Sequence, residues 1–370
     1  MKIAHRQRGA AALGVTLLLL FVMTLVAGFA SRNLVFEQRS SANQARSTQA
    51  FEAAEAGLQW AQAMLNRGTT IGADCEPGAV PGDTSFRDRF LAYDAASGRF
   101  TPRTWNDAGA NRDLQAACVL GENGWSCSCP SAGPPAWSAA PTGGGHPAFV
   151  LQFVAVPRSG IVQLVATGCD GAIPACLPGS PSASPGGASA RVQVLLGLLP
   201  ALATVPVAAL TAGTDAAVDG ERLAARWLGL DRHRWQQLPG VRLLDCTADC
   251  TAELAQAIGP EAAHPMVWIS GDLRVGGAAA FGSSERPVLL VVEGQIQLGS
   301  EVQLHGAIVS LAATWNGSSH PDAQLHGALI ALGNAGGNGT PTITYDADAL
   351  ARLHGQVGSF TRVPGSWRDF

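Results

Sequence analysis

Residues 8–66 read RGAAALGVTLLLLFVMTLVAGFASRNLVFEQRSSANQARSTQAFEAAEAGLQWAQAMLN, a run with no proline. Ala10 to Ala30 carries no charge. Coiled as a helix at about 1.5 Å per residue, it reaches roughly 31 Å, the hydrocarbon thickness of a bilayer. Arg8 and Arg32 bracket the apolar run, and the leader MKIAHRQRG supplies Lys2, Arg6 and Arg8. Basic residues stay on the cytoplasmic side, so the reading places everything after Arg32 beyond the inner membrane.

Beyond the span the helical pattern continues. Phe51, Ala54, Leu58, Ala61 and Leu65 recur at three- and four-residue steps, which puts them on one helix face. Glu37, Arg39, Arg46, Glu52 and Glu55 fall mostly on other faces. Gly57 interrupts helix propensity at a cost of about 1 kcal/mol relative to alanine, and Asn66-Arg67-Gly68 reads as a stop. The pattern predicts one rod from about residue 12 to Asn66. Three origins fit such a start. One is a cleaved secretory signal, with Gly28 and Ala30 as small residues near the cut. Its apolar part, usually about 7–15 residues, would be shorter than this run, and cleavage there leaves the continuous rod unexplained. The second is a plain single-span anchor. In the third, a leader is cut after Gly9 from a helix that first sits in lipid and later packs into a fibre.

RQRGAAALGVTLLLLFVMTLVAGFA, followed at this distance by FEAAEAGLQWA, resembles the N-terminal segment of PilX-type minor pilins of type IV pili. The resemblance implies cleavage by a prepilin peptidase between Gly9 and Ala10 and N-methylation of Ala10. It also implies a long helix packed on an antiparallel sheet, with Phe51, Ala54, Leu58 and Leu65 as the packing face. Most pilins carry glutamate at the fifth mature position; here that position is Gly14. A carboxylate in lipid or in a dry fibre core is costly unless paired. In the resembling family it answers the amine of the subunit ahead. Gly14 therefore marks a tip or initiating subunit, against the plainer reading that some minor pilins tolerate the loss.

The chain has 370 residues, net charge −4, 14% charged residues and 44 glycines, a turn-rich β composition. With the rod set apart, length favours two globular portions. No basic stripe points to nucleic acid. The organisation read from these signals is a leader at 1–9, the pilin helix at 10–66 with its span at 10–30, and a cysteine-rich α/β domain at 67–200. A β-solenoid-like domain follows at 201–370, with a helical insertion at about 220–265. The fold class is α+β. All eight cysteines follow the span, and an even count in an exported chain reads as disulfides. Cys169 with Cys176 and Cys246 with Cys250 enclose short loops and are expected to pair locally. Cys75, Cys118, Cys127 and Cys129 then allow three connectivities.

Residues 69–147 read mainly as cross-linked loop, with one short helix around Phe86, Phe90, Leu91 and Tyr93. Strands are expected at 148–156, 160–167 and 188–199, the first two joined by a hairpin at 157–160, with a flexible loop at 177–187. After Pro200, short apolar pieces end in glycine. VQLHGAIVSL at 302–311 and AQLHGALIAL at 323–332 are near copies 21 residues apart, the spacing of successive solenoid rungs. The region and the ending VPGSWRDF also resemble the C-terminal part of PilX-type proteins.

His305 and His326 should stack on adjacent rungs as a polar ladder rather than a metal pair. Asp346 and Asp348 lack the further acids of a calcium loop and read as the charged first turn of a helix reaching His354. No nucleophile elbow, zinc-binding helix or phosphate loop is present, so no catalytic residue, metal or cofactor is assigned. Trp227 and Trp235 are expected in the core; exposed, they would form a partner surface. The sequence thus predicts a non-enzymatic minor pilin acting in initiation or at the tip, with adhesion or twitching motility as accompanying roles. Its partners would be other minor pilins, the major pilin, the prepilin peptidase, the inner membrane and a tip adhesin or surface ligand. The rivals are the tip pseudopilin of a type II secretion system and a secreted β-helix enzyme acting on polysaccharide.

Overall fold

The computed structural model describes residues 8–369, apart from 79, 81, 137–145, 172–175, 177–186, 213–219, 260, 261, 312–318 and 332–339. The leader residues Lys2 and Arg6 and the loop expected at 177–187, save Gly187, lie outside the described residues.

A single α-helix runs from Arg8–Leu65 without a break. At 58 residues it is about 87 Å long. The helix ends where the Asn66-Arg67-Gly68 stop predicts. Its last five turns are seated on a sheet: Ala54, Leu58 and Leu65 are buried together with Ala50, Ala53, Ala61 and Met64. The expected packing face is therefore the one that packs, and Phe51 lies half-buried at its rim.

That sheet is antiparallel. Across it the order is Gly358–Arg362, Ser189–Pro200, Ile161–Cys169, Ala148–Ala155, Ala116–Gly121 and Gly124–Ser128, with Arg368–Asp369 also pairing on Ser189–Pro200. The three central strands stand where alternation predicts them. Phe149, Leu151, Phe153, Leu164, Val194 and Leu196 face the helix and form the first core. Two features differ from the sequence reading. The stretch 69–147, expected mainly as loop, contributes the hairpin of Ala116–Gly121 and Gly124–Ser128 to the sheet and two further small hairpins, Leu91–Asp94 with Arg99–Pro102 and Thr104–Asp107 with Ala110–Asp113. These strands are short, those of Thr104–Asp107 and Ala110–Asp113 are largely polar, and Ala116–Gly121 is a short apolar run without alternation. The short helix is Phe86–Phe90 alone, and Leu91 and Tyr93 belong to a strand.

The second difference concerns 201–370, expected as one unit. Its end crosses back: Gly358–Arg362 extends the first sheet and Phe360 sits in the first core. What lies between is a sheet of parallel strands in the order Leu210–Ala212, Gln324–Ala331, Val302–Ser310, Val288–Val292, Met266–Gly271 and Val241–Cys246. Both faces of the central strands are covered, which explains continuous apolar runs such as Val288–Val292, all five buried. Met266, Trp268, Leu289 and Val291 pack against the helices Gly220–Leu228, Arg232–Gln236 and Ala347–Gly355. Val267, Ile269, Leu290 and Val292 face the inside of the curve, against Leu273, Val275, Ile296 and Leu298. The near copies pair in the register their sequences predict, His305 on His326 and Gly306 on Gly327. This pairing builds a half-barrel sheet; stacked closed coils, the solenoid expected from the repeat, are a further step that it does not show.

The repeated His-Gly has a steric cause. Gly306 and Gly327 have φ of 141° and 142°. A Cβ on Gly327 would lie 1.7 Å from the Gly306 carbonyl oxygen, and one on Gly306 1.9 Å from that of Val288. Only glycine permits neighbouring strands to approach so closely where they bend.

Candidate assembly interface

Before it reaches the sheet the long helix is exposed, with Arg46 meeting Asp170 of the globular part at 3.8 Å. From Ala12 to Thr48 every residue is exposed, and its large apolar side chains, Leu13 to Phe36, are 45–74% accessible. Among the described residues this is the one helix long and apolar enough to cross a membrane. Up to Ala30 it is apolar on all sides, the signature of a segment that water does not surround. Its few hydroxyls are satisfied within the helix: Thr16, Thr24 and Ser31 donate to the carbonyls of Leu13, Phe21 and Gly28 at 3.0, 2.8 and 3.0 Å. In hydrocarbon such internal satisfaction removes the cost of a bare polar group. A Cβ placed on Gly14 would meet nothing within 4 Å, so no packing among the described residues demands glycine there. The backbone at Gly9 and Ala10 is already helical.

Where the helix meets the sheet, its backbone comes close. A Cβ on Gly168 would lie 2.1 Å from the Ala50 carbonyl oxygen and 2.4 Å from the Ala54 nitrogen. Ala50, Ala53, Ala54 and Ala61 supply the small side chains for this approach, and Gly168 completes it from the strand. Sequence reasoning passed over Gly168; a glycine interrupting the apolar alternation of 161–169 was the available signal. Further along, the chain's end clasps the helix. Trp367 donates its indole N–H to Glu55 at 2.6 Å and meets Phe51 edge-on, centroids 6.4 Å apart. Arg362 Nε donates to Gln62 Oε1 at 3.0 Å.

The helix stop is a structural junction. Asn66 exchanges two hydrogen bonds with the Phe360 backbone, accepting at 2.7 Å and donating at 2.9 Å. Arg87, buried, donates to the carbonyls of Leu65, Gln356 and Gly358 at 2.7–3.2 Å and lies over the Phe360 ring at 4.8 Å. Burial lowers its pKa to about 10, with Asp88 working the other way. Beside it, Asp88 accepts from His264 at 3.1 Å and from the Ser85 hydroxyl at 2.8 Å. Burial alone would raise the Asp88 carboxyl. The His264 charge and hydrogen bond, the Ser85 hydroxyl and the Arg87 guanidinium outweigh it and hold the group well below the usual carboxylate range.

Cys169–Cys176 and Cys246–Cys250 form local bridges, and the other four pair as Cys75–Cys129 and Cys118–Cys127. His305 and His326 stack with centroids 4.6 Å apart and planes 16° from parallel. Burial and the neighbouring imidazole lower the pKa of His305. Asp346 caps Ala347–Gly355, accepting from the Asp348 and Ala349 amides at 3.1 and 3.0 Å. Trp227 is 6% and Trp235 0% exposed, so both lie in the core as expected and the partner surface that their exposure would have made is not there. Trp235 packs on Trp268 at 5.6 Å and donates to the Ala201 carbonyl at 3.3 Å. Both rings close the second core, which is why the sequence concentrates them there.

Residues 8–59 match the family model described as PilX N-terminal. The N-terminal segment of the chain is thus similar to that of PilX-type pilins of type IV pili. The match ends within the buried turns of the helix, so it covers the exposed apolar part and most of the seat. No curated protein matches the chain. No solved structure matches it either.

Proposed function

We propose that the chain is a minor pilin acting in the initiation of pilus assembly or at the pilus tip. The observation that carries this reading is the unbroken helix, bare and apolar over its first part and sheet-seated over its last, coinciding with the PilX-type match. A helix of that kind needs a cover, first lipid and then the helices of other pilins. Cleavage between Gly9 and Ala10 and methylation of Ala10 follow from the same reading. The globular part lies in the periplasm before assembly and outside the cell after it.

Gly14 supports the tip assignment. A subunit with none ahead of it has no amine for a glutamate to answer, and nothing among the described residues requires glycine at that position. The pairing of Leu273–Val275 on Ile296–Leu298 and of Ala279–Phe281 on Val302–Ser310 supports reading the second sheet as rungs of a short solenoid presented at the distal end. The deciding experiment is mass analysis of the N-terminus on protein recovered from membranes. A start at methylated Ala10 is expected. A start at Ser31 would identify a secretory signal, one at Met1 a plain anchor, and either would overturn the reading. Deletion of the protein should also abolish or sharply reduce surface pili.

A further inference from the structure

The hairpin of Thr104–Asp107 and Ala110–Asp113 stands beside the strand Ala148–Ala155, and between them lies an open pocket of about 350 Å³. Trp105, Arg112, Asp113, Gln115, Pro134 and Gln152 line it. Leu151 and Phe153 face the core beneath the long helix, so Gln152, between them, belongs to the opposite face of the sheet. Gln115 lies one position beyond the register pair Ala116–Leu151, which sets it across from Gln152. A ligand held by these two amides leaves the assembly helix untouched.

The chemistry of the lining is specific. Trp105 is half-buried and provides a broad aromatic wall. The Asp113 carboxylate accepts from Gln152 at 3.3 Å; Gln115 brings a donor pair and an acceptor, and Gln152 its second N–H and an acceptor. Arg112 is paired with Asp107 at 2.5 Å, which cancels its charge locally. The walls are held in place. Cys75–Cys129 anchors the start of the proline segment, and the Ala136 amide donates to the Ser128 hydroxyl at 3.0 Å. An aromatic wall with a few convergent planar polar groups suits a small ligand that is apolar on one face and hydroxylated around its edge. Such a ligand is a sugar ring.

We propose that this pocket binds a neutral pyranose unit of a surface glycan, its C–H face against the Trp105 indole and its hydroxyls on Asp113, Gln115 and Gln152. The site stands independently of the pilin assignment, because sugar binding is read on the isolated full chain whatever its N-terminus does in the cell. The test uses the full chain purified in lauryldimethylamine oxide, a detergent with no sugar headgroup. It is titrated with the methyl pyranosides of glucose, galactose, mannose and N-acetylglucosamine, and binding is followed by saturation-transfer NMR. At least one probe should bind saturably. The combined Asp113→Asn and Gln115→Ala variant should weaken it about tenfold or more, since hydroxyl partners are lost. Trp105→Phe, which keeps an aromatic wall, should hold most of the affinity, and Gln303→Ala on the second sheet should change nothing. No saturation by any probe up to about 50 mM would overturn the proposal. So would binding undiminished in a double variant whose thermal unfolding matches the parent's, or binding removed by Gln303→Ala instead.

Discussion

Gly168 is the residue on which the seat of the long helix turns. Because a Cβ there would run into backbone atoms of Ala50 and Ala54, neither neighbour can rotate aside to admit it. Gly168→Ala should lift the helix from the sheet and cost about 3 kcal/mol, the upper part of the usual range for overpacking, seen as a lower midpoint in denaturant unfolding. Asp88 makes a second prediction at this scale. Its folded pKa is depressed below the value near 3.9 of an unfolded carboxylate. The unfolded chain therefore takes up the proton first as pH falls. The Asp88 contribution is fully present above about pH 5 and is lost progressively as pH drops through about 4 and below. Asp88→Asn should flatten the fall in melting temperature between about pH 5 and pH 3. An unchanged slope would mean that the contact with His264 carries no weight in stability.

Among the elements, the helix does two jobs with one backbone. The sheet-seated turns hold the globular part, and the exposed turns reach beyond it, so the coupling between them is only as stiff as the helix itself. Ser41→Pro, placed in the exposed section, removes a backbone hydrogen bond and clashes with the preceding turn, at a cost of about 3 kcal/mol within that section. The unfolding of the globular part should stay where it is, because Ser41 touches none of its core. Pilus number, counted by electron microscopy on cells carrying the variant, should fall steeply. Retention of normal piliation would show that continuity through this section is dispensable. The hairpin strands of 104–113 illustrate the opposite case: each is paired with the other, with no apolar pattern of its own.

At the scale of the whole molecule, the chain is tied at the end of the helix, where Asn66 and Arg87 hold the returning strand Gly358–Arg362. This return joins the two sheets and brings the last residues onto the helix through Trp367. The disulfides divide along the same lines. Cys75–Cys129 closes a loop of sequence separation 54, and Cys246–Cys250 one of 4. Loop-closure entropy assigns about 4 kcal/mol to the first and about 2 kcal/mol to the second. Replacing Cys75 and Cys129 together by serine should therefore lower the denaturant midpoint more than replacing Cys246 and Cys250. The reverse order would place the effect in native contacts of the shorter loop.

Read along the chain, periodicity was enough for the rod, its packing face at Ala54, Leu58 and Leu65, its stop at Asn66, the three central strands and the parallel register of the His-Gly copies. These are local patterns: a 3.6-residue or two-residue repeat is written by neighbouring side chains and survives without knowledge of the fold. The cysteine pairing among 75, 118, 127 and 129, the role of Gly168, the crossing back of 358–369 and the convergence of Trp105 and Gln152 on one pocket were decided by tertiary structure alone. Each depends on residues tens to hundreds of positions apart arriving at one place, and no local pattern encodes which distant surface will cover it.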